Sequence, residues 1–302
     1  MRVLVTGGAG FIGHHLVHRL LEDPAASVRV LDNLQRGRHT FGGTPRVEFV
    51  QGDIRDRKAV RAAMGGIDLV YHLAAQSNVL GAGQDLEYSF TTNVAGTFEV
   101  LQAAQEGGAG RVIFASSREV YGEAASLPVV ESAPLNPKNS YGASKAAGEL
   151  YCRVFAADGL SVAVLRLANV YGPGDFGRVI PLFLDNAIHG RPLVIYGGDH
   201  KLLDFVWIGD VVRALVKVQT ASLDGQPVNI GSGEGTTLRD LAQRILRLTG
   251  SSAPIECAAH REAETDRFVP DIRLAERLLD YHPAPSLAHL AEVAVVAGGQ
   301  SR

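Results

Sequence analysis

Residues 2–13 constrain this chain more than any other stretch. Arg2-Val3-Leu4-Val5 is an apolar, β-branched run that reads as a buried strand, and Thr6-Gly7-Gly8-Ala9-Gly10-Phe11-Ile12-Gly13 follows without a spacer. An amphipathic stretch over 16–21 comes next, so the order is strand, glycine-rich turn, helix. Glycines at 8, 10 and 13 match one spacing that brings backbone close to a pyrophosphate, and those at 7, 10 and 13 match its wider variant. Glycine is needed there for two reasons. The turn takes backbone angles that a Cβ resists, and the phosphates must approach the main chain at a helix N-terminus. Asp32 closes a second strand over 28–31, about twenty residues beyond the turn, where a carboxylate accepts from ribose hydroxyls. An ordinary strand-to-helix turn has no need of that acid. The stretch therefore predicts a dinucleotide site, and Asp32 favours NAD over NADP. Arg36 and Arg38 pull the other way, because arginines there suit a 2′-phosphate; a solvated loop is their plainer reading.

At 302 residues the chain is long enough for a large core and two lobes. A net charge of −3 announces neither nucleic acid nor an anionic membrane as partner, so an anionic substrate must be met by local cations. Two distant cysteines, Cys152 and Cys257, with no CxxC, predict a reducing compartment, the cytoplasm, without a disulfide framework. The ten histidines contain no HExxH, and no metal site is expected. The first residues enter a core strand directly, which leaves no room for a signal peptide, and no apolar run reaches the ~18 residues of a membrane span.

Apolar strand-like runs at 2–6, 28–31, 47–51, 69–73, 112–116 and 162–165 alternate with helical patterns at 11–22, 57–64, 88–106 and 141–158. Near-continuously apolar strands in this order predict an α/β fold, a parallel sheet covered on both faces. The strands' C-terminal ends carry Gly7, Asp32, Asp53, Ala74-Ala75, Ser116-Ser117 and Asn169, at the edge where open α/β sheets bind ligands. After 171–174 the rhythm changes: helix 179–189, strand 193–196, polar loop 197–201, strand 203–207, helix 210–219, strand 228–230, helix 237–248, and a helical tail over 271–297 broken at 282–285. Residues 1–170 read as the dinucleotide-binding lobe and 171–302 as a smaller substrate lobe. The return of 204–230 to the main sheet is left open.

Tyr141 and Lys145 stand four apart at the start of a helical pattern, which puts both on one face. An ammonium beside a phenol favours the phenolate, whose pKa is ordinarily ~10, and a cationic nicotinamide would act the same way. The pair is a candidate general base beside the dinucleotide site. Ser116, Ser117 and Glu119 end the fifth strand. If the backbone stays extended, Ser117 and Glu119 share a face and Arg118 takes the other. Ser117 is then a helper hydroxyl or a turn former, and Glu119 a second acid/base or a structural carboxylate. Asp53-Ile54 suits an adenine edge, with a helix cap for 55–64 as the competing role of Asp53. Asn93 inside a helical stretch is expected to hold active-site water or backbone. Among Arg178, Arg191, Lys201, Arg261 and Arg267, some should meet a diphosphate.

The motifs TGGAGFIG, LDNL, GDIRD, YHLAAQ, TNVAGTFEVL, SSREVYGE, SYGASK, LRLANVYGPG and LDFVWIGDV resemble, in order and spacing, the extended short-chain dehydrogenase/reductase family. More narrowly they are similar to its NAD-dependent nucleotide-sugar epimerases and dehydratases. The resemblance implies a Rossmann-type doubly wound parallel sheet with a tightly held NAD, a smaller C-terminal α/β lobe over a nucleoside-diphosphate sugar, and a homodimer built from the helices at 88–106 and 141–158. It implies that Gly7, Gly10 and Gly13 hold the pyrophosphate over Phe11 and Ile12. Asp32 and Asn33 would meet the adenosine ribose, Asp53 and Ile54 the adenine, and Leu73, Ala74 and Ala75 would line the cofactor, with Asn93 and Ser116 close by. Tyr141 would be the base, Lys145 its partner and the nicotinamide-ribose anchor, and Ser117 the helper. Gln76, Ser117, Asn169, Arg178, Val179, Tyr196 and Arg261 would meet the sugar nucleotide.

Two departures from the family pattern matter. Where 4-epimerases usually read Ser-Ser-Ser-x-Val-Tyr-Gly, residues 116–122 read Ser-Ser-Arg-Glu-Val-Tyr-Gly. Glu119 falls where dehydratases and UDP-glucuronate decarboxylases carry a catalytic glutamate. Arg118, however, replaces the dehydratases' preceding acid, and Phe268 stands closest to the decarboxylases' arginine, with Arg267 one place off. The usual Arg-Asp-Phe of the second lobe is Leu203-Asp204-Phe205, which leaves Lys201 or Arg178 to contact phosphate. The expected activity is C4 epimerisation of a nucleoside-diphosphate sugar, a UDP-hexose first, through a 4-keto sugar. The alternatives are a dehydratase or decarboxylase using Glu119, and a non-catalytic NAD-binding scaffold.

Overall fold

A computed structural model describes residues 1–299 of the chain, 199 and 224 excepted; residue 199 of the expected loop at 197–201 thus lies outside the described residues. Seven strands form one all-parallel sheet: β1 (Arg2–Thr6), β2 (Ser27–Asp32), β3 (Val47–Gln51), β4 (Leu69–His72), β5 (Arg111–Ser117), β6 (Val162–Leu167) and β10 (Pro227–Ile230), in the order β10-β6-β5-β4-β1-β2-β3. Side chains alternate across it. Val3, Val5, Val28 and Val30 pack with Leu16, Val17 and Leu20 of α1 (Phe11–Leu20) and with Val211 and Leu215 of α8 (Ile208–Lys217). Leu4 and Leu31 face the other way, onto Val60 and Met64 of α2 (Arg57–Met64), Val100 and Leu101 of α5 (Gly96–Glu106) and Cys152 and Phe155 of α6 (Ser140–Ala157). Burial on both faces is why these strands read as continuously apolar. The strand order reverses between β1 and β4, where such sheets open a crevice beyond their C-terminal ends.

Beyond β7 (Asn169–Tyr171), the strand β9 (Leu202–Trp207) pairs with β7, β11 (Gly235–Thr237) and β13 (Arg267–Phe268), and β8 (Leu193–Tyr196) pairs with β12 (Ile255–Ala258). A separate core under α7 (Val179–Ile188), α9 (Leu238–Thr249) and α11 (Leu290–Gly299) gathers Ile180, Phe183, Leu241, Ile245 and Val293. The stretch 204–230 divides: its first strand joins the second sheet, and β10 pairs with β6 at the edge of the first. In the tail, α10 (Arg273–Leu279) and α11 flank the expected break.

Three local expectations change. The helix expected over 88–106 is two helices, α4 (Leu86–Phe90) and α5, joined by a π turn at Thr91–Ala95, after a short α3 (Val79–Gln84). Thr91 Oγ1 bonds back to the Glu87 carbonyl at 2.8 Å, and the wider turn aims Asn93 inward. The cap of α2 is Asp56, which accepts from the N–H groups of Lys58 and Ala59; Asp53 instead takes both Asn33 and Arg55. Third, the backbone after Ser117 does not stay extended but tightens into a 3₁₀ turn, Arg118–Val120.

Helix α6 is anchored by a buried network. Glu149 accepts from Ser116 Oγ at 2.5 Å and pairs with Arg166 on β6 at 2.7 Å. Arg166 also donates to the Tyr121 hydroxyl and the Glu131 carbonyl. Replacing Arg166 by Met leaves a buried carboxylate without its partner, so Arg166→Met is expected to lose about 3–5 kcal/mol of stability, read by denaturant unfolding.

Candidate active site

A cleft of about 850 Å³ runs along the C-terminal ends of β1, β2, β4 and β5 and under the 173–183 segment. The glycine turn forms its floor. Gly7 takes φ +72°, and a Cβ on it would stand 2.6 Å from the Ala74 nitrogen; one on Gly13 would stand 2.3 Å from the Gly7 carbonyl oxygen. Both glycines therefore exist for backbone-on-backbone packing. Gly10 differs: it begins α1 with no side-chain cap, and its Cβ position meets only the Gly7 oxygen, at 3.3 Å. Gly7, Gly10, Phe11, Ile12 and Gly13 all line the cleft. An uncapped helix N-terminus opening into a cleft suits a pyrophosphate.

At one end stand Asp32, Asn33, Arg36 and Ile54. Asp32 accepts from the N–H groups of Ala9 (3.0 Å) and Leu34 (2.8 Å), and burial raises its carboxyl above the usual range. Arg36 and Arg38 lie over the Phe176 ring, with guanidinium-to-centroid distances of 5.3 and 4.2 Å. That contact joins the loop after β2 to the loop after β7. Two expected cofactor residues do not line the cleft. Asp53 is taken up by Arg55, whose hydrogen bond holds its pKa down at about 2, and by Asn33. Asn93 acts through its neighbours: it accepts from the Gln76 N–H at 2.7 Å and donates to the Gln76 carbonyl and Ser144 Oγ. Gln76, Leu73, Ala74 and Ala75 do line the cleft.

Ser116, Ser117, Arg118, Glu119, Tyr141 and Lys145 meet at the middle. The expectation that Lys145 depresses the Tyr141 pKa is not met. Lys145 Nζ donates to the Ala115 carbonyl at 2.8 Å, lies 4.8 Å from the Phe114 ring centre, and is pulled down by burial to about 8. Burial raises the Tyr141 phenol above its usual value; a hydrogen bond with Ser117 and the charges of Arg178 and Arg118 oppose that rise. Glu119 is buried, and both its oxygens are engaged. Arg118 Nη2 stands 2.8 Å from one, and Asn139 Nδ2 (2.8 Å) and Thr265 Oγ1 (3.1 Å) donate to the other.

At the far end, Asn169 accepts from Arg118 Nε at 3.1 Å and donates to the Asp204 carbonyl at 2.8 Å. Arg178 and Val179 begin α7, and Arg178 pairs with Asp175, whose carboxyl burial raises to about 6. Arg261 lies over Tyr196, 3.4 Å from its ring centre, and pairs with Glu264. Lys201, offered as a phosphate contact, is already held by Glu264 at 2.5 Å. Phe268 is buried and Arg267 exposed, and neither lines the cleft. Asp175 and Phe176 line the cleft from the 174–181 stretch, which the sequence reading takes as part of the pocket, whereas Thr265 lines it without a sequence signal, in a loop whose meaning depends on residues remote in the chain.

Residues 3–231 match the model of the NAD dependent epimerase/dehydratase family. The chain belongs to that family. Its members are NAD-dependent enzymes, and the doubly wound sheet is theirs as well. A UDP-glucose 4-epimerase from Thermotoga maritima, solved with UDP-glucose, superimposes with a TM-score of 0.94 at 30% identity over all of both chains. A dTDP-glucose 4,6-dehydratase from Streptomyces venezuelae, solved with NAD, gives 0.94 at 36% identity over 99% of this chain and 97% of that one. A UDP-N-acetyl-alpha-D-glucosaminuronate decarboxylase from Bacillus cytotoxicus is 32% identical over 93% of this chain and 92% of its own length. Three reactions thus stand at similar distance. Among the described residues no group of three or more His, Cys, Asp or Glu could hold a metal, and no helix is long and apolar enough to cross a membrane.

Because the Ser117 hydrogen bond lowers the Tyr141 pKa, Ser117→Ala should move that titration to higher pH. The measurement is the tyrosinate absorbance of each protein minus that of its Tyr141→Phe counterpart. An unmoved midpoint would show that the hydroxyl does not act on the phenol.

Proposed function

We propose that the chain is a nucleotide-sugar 4-epimerase acting on a UDP-hexose. The observation that carries this reading is the arrangement at the end of β5: Tyr141 and Ser117 both line the cleft there, while the Glu119 oxygens are held by Arg118, Asn139 and Thr265. Elimination needs a group free to move a proton to or from the departing substituent. Arg118 stands as the ion-pair partner of Glu119, and the Glu119 oxygens are already acceptors of fixed donors.

In this reading Gly7, Gly10 and Gly13 seat the pyrophosphate, Asp32 and Asn33 accept the adenosine ribose, Ile54 borders the adenine, and Lys145 anchors the nicotinamide ribose. When bound, NAD supplies a reversible hydride acceptor for the sugar's C4. Tyr141 Oη takes the proton of the C4 hydroxyl, with Ser117 Oγ hydrogen-bonded beside it, and returns it to the same oxygen once the sugar presents its other face. Leu73, Ala74 and Ala75 line the cofactor. Gln76, Asn169, Arg178, Val179, Tyr196 and Arg261 meet the nucleotide and sugar, with Asn169 acting from its place between Arg118 and Asp204. Residues 1–170 serve the cofactor and 171–302 the substrate, except that Gln76 and Asn169 reach the substrate from the first lobe and β10 completes the cofactor sheet.

Incubation with UDP-glucose, UDP-N-acetylglucosamine and UDP-glucuronate, followed by proton NMR, should show a 4-epimer from at least one. A 4-keto-6-deoxy sugar or released CO₂ would give the site to a dehydratase or decarboxylase instead. Tyr141→Phe should lower kcat by ~10²–10⁴-fold.

The reading includes a homodimer in the cytoplasm, where Cys152 and Cys257 stay as the free thiols they are here. Leu86 and Phe90 of α4 and Val154 of α6 are 61%, 59% and 62% exposed on neighbouring helices. An apolar face of that kind fits a second copy. Sedimentation equilibrium should return twice the chain mass, and Phe90→Asp combined with Val154→Asp should return the monomer.

A further inference from the structure

Glu119 joins three parts of the chain that are distant in sequence. It belongs to the turn after β5. Its partner Asn139 is the N-cap of α6: Asn139 Oδ1 accepts from the Gly142 N–H at 2.8 Å, and its Nδ2 donates both to Glu119 Oε2 at 2.8 Å and to the Ala263 carbonyl at 2.9 Å. Tyr141 stands between Asn139 and Gly142 in the chain, so its placement follows from that cap. Gly142 also presses against the Glu119 backbone, where a Cβ would stand 2.3 Å from the carbonyl oxygen. The third part is the 261–266 segment. Thr265 donates to Glu119, and Lys138 Nζ donates to the Glu264 carbonyl at 3.1 Å. The same segment lines the far end of the cleft through Arg261, Glu264 and Thr265. Arg261 and Lys201 both hold Glu264 there.

We propose that Glu119 is a positioning residue that makes the seat of Tyr141 depend on the 261–265 segment, so that contacts made by the nucleotide end of the substrate set the phenol. The geometry is a closed chain of hydrogen bonds: Thr265 to Glu119, Glu119 to Asn139, Asn139 to both Gly142 and Ala263. No oxygen of Glu119 has to reach the sugar for this role. The inference rests on Tyr141 being the base of the proposed epimerase. Its consequence is that binding energy gained around Arg261 and Tyr196 appears in kcat as well as in KM.

The test uses the full chain and three variants. Thr265→Val removes one donor at nearly constant volume and should lower kcat by ~3–10-fold with KM for the nucleotide sugar little changed, the effect of one hydrogen bond. Thr265→Ser keeps the hydroxyl and should restore kcat. Glu119→Gln keeps an acceptor for Asn139 and Thr265, so it should retain measurable turnover. Amide exchange at Gly142, whose N–H the cap holds, should quicken in Thr265→Val and not in Thr265→Ser. A ~10³-fold loss of kcat in Glu119→Gln, with Thr265→Val unimpaired, would make Glu119 an acid–base catalyst and overturn the proposal. So would Gly142 exchange that is the same in all variants, a measurement that needs no substrate. A wild-type protein that forms no 4-epimer defeats the proposed activity alone, and the exchange measurement still decides this one.

Discussion

The ion pair between Glu149 and Arg166 is the interaction on which the arrangement of the cleft depends. It is buried on both sides and completed by Ser116, Tyr121 and the Glu131 carbonyl. A pair of this kind contributes little net stability over a well-packed apolar one, because two charges must leave water. What it does is orient. Helix α6 carries Lys145 and Tyr141 about one and two turns ahead of Glu149, so fixing Glu149 against β5 and β6 fixes the depth and rotation at which both side chains enter the cleft. Lys145 adds a second tie on the same face, to the Ala115 carbonyl of β5. Tyr121 carries the network on to Asn229 of β10, which binds the last strand of the sheet into the same scheme.

The cleft itself follows from close backbone packing at the first turn. Gly13 sits against the Gly7 carbonyl and Gly8 against the Val30 side chain, at separations that leave no space for a Cβ. Helix α1 can then begin immediately beyond β1 with its N-terminus open. The same closeness joins β1 to the start of the loop after β4, since Gly7 lies against Ala74. Two binding segments from different βα units are thereby held in one wall without any side chain between them.

Similarity across the whole chain does not separate the reactions of this family, and the proposed reading rests on the end of β5. An epimerase, a dehydratase and a decarboxylase share 30–36% of their residues with this protein. The local difference is electrostatic. Arg118 turns what could be a pair of acids into an internal ion pair, and Asn139 and Thr265 take up the remaining acceptor capacity of Glu119. In the proposed reading that leaves Tyr141, near Ser117 and the charges of Arg178 and Arg118, as the group that exchanges a proton with the substrate. The proposed reading depends on this balance of donors and acceptors.

Much of the architecture was legible in residue patterns because it depends on near neighbours. The continuously apolar run over Val3, Leu4 and Val5, the glycines at 7, 10 and 13, and the i, i+4 pair at Tyr141 and Lys145 are all contained in short windows of the chain. These patterns pointed to the parallel sheet and to the dinucleotide site; the family, and site residues such as Gln76 and Asn169, came from the resemblance of whole motifs. Tertiary structure decided the rest. Whether Glu119 faces a ligand or an ion pair depends on a 3₁₀ turn and on Thr265, 146 positions away. Whether Lys145 serves the phenol or a carbonyl depends on how deeply α6 is drawn against β5. Asp53 was lost to the cleft because Arg55 lies nearer, and β10 joined the first sheet because β6 offered a free edge. Each outcome is a competition among partners for one polar group, and distance in space, which the order of residues does not contain, settles it.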